Sequence, residues 1–174
     1  MTSTRAAVAA AIAGILLAGG LAAGGELTGP APRSSDRDSL PTDAKSLATM
    51  YRKTVDGYRG LAAGYIFQTH LGIGMVAELA ANKVYSADQA TTTLDRMTGG
   101  MVAMRQLLKA VVGLKLPESD RQTVLTILKL TAQVDAEAKA LSKYLLSSDQ
   151  DDAAAYHKVR SQTAEAISKF LGIG

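Results

Sequence analysis

The chain contains no cysteine. That excludes disulfides, thiolate metal sites, a lipid-modified cysteine anchor and covalently attached c-type haem. Histidine is scarce, with only His70 and His157. Neither has a carboxylate or a second histidine three or four residues away, so the helical metal motifs E-x-x-H and H-E-x-x-H are missing. No G-x-S-x-G segment is present to mark a nucleophile elbow. Aromatic residues make up only 5% of the chain, and much of its 47% apolar content is alanine. A core built from such residues is lean, and its helices must approach closely. The formal net charge of +3 is too small to argue for nucleic acid. No enzyme class is indicated, and no cofactor or nucleic-acid partner is expected.

What the sequence does have is helical periodicity. Leu94, Met97, Met101, Met104, Leu108 and Val111 recur at alternating spacings of three and four. Such spacing keeps one apolar seam on one face of a helix. Val124, Ile127, Thr131, Val134, Ala138, Leu141 and Leu145 repeat the pattern. Ser86 with Gln89, and Ser119 with Gln122, have the capping-box spacing of a helix start. Pro117 ends one helix and opens the next, since its ring cannot continue the first. Two antiparallel helices of roughly 28–30 residues, each about 45 Å long, are expected from Ser86 to Leu146. One partner cannot bury a seam of that length, so further helices must cover it.

The flanking segments supply them. From Thr42 to Tyr85 apolar residues recur at Leu47, Tyr51, Val55, Tyr58, Ala62, Tyr65, Thr69, Ile73, Val76 and Ala80. Thr42 is the expected cap. Unbroken, this helix would span about 63 Å. Gly57, Gly60, Gly64, Gly72 and Gly74 interrupt it. Each costs about 1 kcal/mol relative to alanine. A kink or break is therefore expected near Gly57–Gly60 or Gly72–Gly74, unless the glycines serve close contact with Gly99 and Gly100. Gly72, Gly74 and Ala77 also match G-x-G-x-x-A, but no β-α-β pattern surrounds them, so a dinucleotide loop is not inferred. Ser148 is the expected cap of a last helix, with Asp149, Asp151 and Asp152 in its first turn, where they complement the helix dipole. Tyr156, Val159, Thr163, Ile167 and Phe170 form its buried face, and Gly172 suits its end.

The N-terminal part is different. Ala6 to Gly25 is an unbroken run of twenty alanine, glycine, valine, isoleucine and leucine residues, preceded by Arg5. Only six of the twenty are larger than alanine, leaner than a permanent span usually is. A basic start, an apolar stretch and small residues at its end describe a secretory signal, cleaved after Ala23 or Gly24. The alternative is an uncleaved membrane anchor. Glu26 to Pro41 holds three of the four prolines and reads as a flexible linker.

The expected fold is thus all-α. An antiparallel up-down four-helix bundle occupies 42–174, behind a linker at 26–41 and a signal peptide or anchor at 1–25. The expected function is a non-enzymatic binding or assembly role, exported or tethered to the membrane, with the bundle outside the cytoplasm. Tyr51, Tyr58 and Tyr65, seven apart on one stripe, form a candidate face for a protein partner or self-association. One alternative is a carrier of b-type haem or metal, with His70, Met75 and His157 as candidate ligands. Another is a small-ligand site near Gly72 and Gly100, where glycine thins the bundle.

Overall fold

A computed structural model describes residues 44–113 and 116–173. The signal or anchor segment at 1–25, the linker at 26–41 and the Thr42 cap lie outside the described residues. Those described form four helices and no strands: α1 Ala44–Ala81, α2 Ala87–Val112, α3 Glu118–Ser147 and α4 Gln150–Leu171. The chain divides into two units, Met1–Tyr58 and Arg59–Gly174. The first is described only from Ala44, as the opening part of α1. The second holds the rest of α1 with α2, α3 and α4.

The helix ends follow local chemistry. Ser86 caps α2 through a complete capping box: its Oγ accepts from the Gln89 amide, and its own amide donates to Gln89 Oε1 at 2.9 Å. The second expected box does not form. Pro117 takes the cap position of α3, and Gln122 Nε2 instead donates to Glu118 Oε1 at 2.6 Å. Pro117 has no side-chain acceptor; its carbonyl accepts from the Asp120 and Arg121 amides at 3.1 and 3.0 Å, and the start of α3 is exposed. The last turn also differs from expectation. Ser148 does not cap α4 but ends α3 in the left-handed region at φ 55°. Asp149 is the cap, accepting from the Asp151 amide at 2.7 Å. A two-residue reversal requires one left-handed residue followed by one extended one, and the carboxylate then lies where the open amides are. Gly172 ends α4 at φ 71°, as its residue type suggests.

The second unit has one apolar core. Ile66, Ile73, Leu94, Met101, Leu108, Ile127, Val134 and Leu141 are among its fully covered side chains. α3 packs along both α2 and α4. The seam expected on α2 is partly shifted: Leu94, Met101, Leu108 and Val111 are buried, but Met97 and Met104 are only half-buried, and Thr98 takes an inner position. Thr98 can do so because its hydroxyl donates to the Leu94 carbonyl at 3.0 Å. α1 runs through Gly72 and Gly74 as one helix, without the expected break. Packing explains this. Met97 fills the space beside Gly72 and the Arg160 guanidinium fills that beside Gly74, so a β-carbon at either would collide. The glycines are thus used for close approach, but to side chains rather than to Gly99 or Gly100.

Candidate functional site

Three charged or titratable side chains meet inside the second unit. His70 on α1 lies in a run of core positions, Ile66, His70 and Ile73. Glu137 on α3 follows Leu130 and Val134 and precedes Leu141. Arg160 on α4 lies between Tyr156 and Thr163. Each therefore sits where helical spacing turns a side chain inward. The Glu137 carboxylate is fully buried. Its Oε1 accepts from Arg160 Nη1 at 2.8 Å, and its Oε2 is 2.7 Å from His70 Nδ1. A carboxylate paired with arginine only accepts, so His70 Nδ1 is the donor in this contact. Arg160 Nη1 also reaches the His70 carbonyl at 3.4 Å. Gly74 leaves the space that the guanidinium occupies. Burial pushes the neighbouring Tyr156 phenol up, while the Arg160 charge pulls it the other way.

A second pair lies between α2 and α3. Arg105 Nη2 is 3.2 Å from Asp135 Oδ2, and Lys139 Nζ approaches the same oxygen at 3.0 Å. Asp135 and Glu137 are two residues apart and therefore serve different neighbours. One ties α3 to α2, and the other ties it to α1 and α4.

The His70–Glu137 contact resembles half of an acid–base pair, yet among the described residues the His70 ring has no other hydrogen-bond partner. The arrangement can hold three helices in register. It has no hydroxyl or thiol nucleophile bonded to the ring. Sequence spacing did not reveal Glu137 or Arg160 as partners of His70, since they lie 67 and 90 residues away. The available signal was a charge at an inward-facing position on each helix.

The other sequence candidates are dispersed. Met75 is 62% exposed. His157 is exposed, its ring tilted against that of Tyr156 with centroids 5.3 Å apart. No contact joins Met75, His157 and His70 among the described residues. No group of three histidine, aspartate or glutamate side chains that could hold a metal occurs there either. The spaces left by Gly72 and Gly100 are taken by Met97 and by the Tyr65 hydroxyl.

Of the tyrosine stripe, the Tyr51 side chain lies outside the described residues. Tyr58 is half-buried, and burial pushes its phenol up to about 12. Tyr65 is 40% exposed, and its hydroxyl donates to the Met97 carbonyl at 3.5 Å.

Beside Tyr65 runs an open face of α1. Leu61 is 61% exposed, Leu71 46% and Met75 62%. Gly60 and Gly64 lie among them, and nothing comes within 4 Å of where their β-carbons would be. Unlike Gly72 and Gly74, these glycines have no neighbour to accommodate among the described residues. No described helix is long and apolar enough to cross a membrane.

Comparisons with known protein families, curated proteins and solved structures find no match.

Proposed function

We propose that this chain is a non-enzymatic helical-bundle protein that acts by assembly or partner binding through the open face of α1. We read its four helices as an up-down antiparallel bundle. The connections at Asn82–Ser86, 113–117 and Ser148–Asp149 favour this, because links of two to five residues join antiparallel neighbours. We read the apolar run Ala6–Gly25 as directing the chain out of the cytoplasm. It then acts as a cleaved signal or as an anchor with the bundle outside.

The observation that carries the reading is the open face. Gly60 and Gly64 each cost the helix about 1 kcal/mol relative to alanine. Among the described residues, no contact offsets that cost. A neighbouring helix approaching from outside would offset it, since glycine permits close backbone contact. Leu61, Leu71 and Met75 add apolar area to the same face.

Photo-cross-linking tests this. A photoreactive residue at Leu71, in protein expressed in a native-like host, is expected to give an adduct of defined mass. The adduct should disappear with Met75→Lys. Absence of any adduct would refute the reading.

A further inference from the structure

We propose that the occupant of this face is a second copy of the chain, paired antiparallel through α1 about a two-fold axis near Gln68. The inference rests on reading the face as an assembly surface. It adds the partner and the register.

The exposed residues are self-complementary in spacing. At 3.6 residues per turn, Gly60, Gly64, Gln68, Leu71 and Met75 fall within an arc of about 80°. All but Gln68 belong to one of two pairs. Gly60 and Gly64 are the holes, with nothing among the described residues within 4 Å. Leu71 and Met75 are the knobs, 46% and 62% exposed. The members of each pair are one helical turn apart, and the pairs lie symmetrically about the midpoint between Phe67 and Gln68. Antiparallel pairing about that midpoint seats Leu71 of each copy on Gly64 of the other, and Met75 on Gly60. The two-fold operation makes each contact twice. Parallel pairing would set knob beside knob and leave the holes empty.

The remaining chemistry agrees. Gln68 is exposed and comes closest to the axis. A side-chain amide both donates and accepts, so it can pair with its own copy. None of these five residues carries a charge, so like charges do not oppose each other there. From Gly60 to Met75 the face is roughly 24 Å long. A single helix pairing of that length covers on the order of 800 Å², about half of a standard interface. The dimer should accordingly be reversible, with a Kd on the order of micromolar.

The absence of cysteine makes the test direct. Gln68→Cys, Gly60→Cys and Gly64→Leu variants of the full chain would be purified from a native-like host. Far-UV circular dichroism and thermal melts would verify their folds. In the proposed pairing, Gln68→Cys lies near its own copy, while Gly60→Cys lies roughly 22 Å along the helix from its own. Gln68→Cys is expected to oxidise to a covalent dimer at least tenfold faster than Gly60→Cys. A mixture of Gly64→Cys and Leu71→Cys chains should cross-link to each other in preference to themselves. Sedimentation should show the original chain dimerising over the micromolar range and Gly64→Leu remaining monomeric with its fold intact. Equal oxidation of Gln68→Cys and Gly60→Cys, or a chain that stays monomeric throughout, would overturn the inference. A Leu71 photo-adduct to a protein of different mass would also overturn it while leaving the assembly reading in place. No adduct of any kind would remove both.

Discussion

Removing the Glu137 carboxylate should be among the most damaging single changes available to this bundle. The group is fully buried and accepts from His70 Nδ1 at 2.7 Å and Arg160 Nη1 at 2.8 Å. Glu137→Ala leaves both donors facing a cavity. Breaking a buried ion pair in this way costs about 3–5 kcal/mol. Arg160 is 31% exposed, so water can reach its guanidinium, whereas the His70 side chain is only 7% exposed. The loss should therefore fall at the low end, about 3 kcal/mol. With a urea dependence of roughly 2 kcal/mol/M for a unit of this size, the unfolding midpoint should drop by about 1.5 M. Helical circular dichroism during urea titration at neutral pH measures this. Replacing all three groups together, as His70→Leu, Glu137→Met and Arg160→Leu, leaves no unpaired charge. It should cost far less than Glu137→Ala, and can stabilise the unit. A loss below about 1 kcal/mol for Glu137→Ala, or a triple variant worse than the single, would refute the account.

The glycines should divide by their surroundings. Gly74→Ala drives a β-carbon into the Arg160 guanidinium and should cost about 1–3 kcal/mol. Gly64→Ala meets open space and should raise monomer stability by about 1 kcal/mol when melted at high dilution. Ser86→Ala removes a formed capping box and should cost about 1 kcal/mol, whereas Ser119→Ala, with no cap to lose, should be nearly neutral in the same denaturation series. The Asp152 carboxyl is held below its usual range, first by its hydrogen bonds with Lys143 and Ser147. Its contribution is therefore present above the ordinary carboxylate pKa and is lost as pH falls through the lowered folded value. Asp152→Asn should flatten that acid limb in melts across pH 2–6, a window set by the ordinary carboxylate range near pH 4.

Legibility in the sequence varied with the range of the interaction. The Ser86 box and the Gly172 end were readable because their chemistry lies within one turn. The Ser119 spacing does not mark the start of α3, because Pro117, two residues earlier, takes the cap position. The cap of α4 lies one position later than the sequence suggests, since in a two-residue reversal the C-cap Ser148 directly precedes the N-cap Asp149. Met97 was expected in the seam of α2, but its side chain is only half-buried and fills the space beside Gly72. Helical spacing alone could not reveal that gap. The tyrosine spacing of α1 marks one stripe, whereas its exposed knobs and open glycines become visible only once burial is known.

Helical class, the approximate extent of α2, α3 and α4 and part of the inward stripe of each follow from the sequence alone; Met97, Met104, Leu145, Val159 and Phe170, expected inside, are only half-buried. Those properties rest on periodicity and on hydrogen bonds between residues at most four apart. Tertiary structure alone decided that His70, Glu137 and Arg160 form one buried group. It also decided that Gly72 and Gly74 are filled by Met97 and Arg160 while Gly60 and Gly64 are open among the described residues. A residue's own helix determines which way it points, but what it meets depends on the rotation and register of helices far away in the sequence. Those are set by the packing of the whole core.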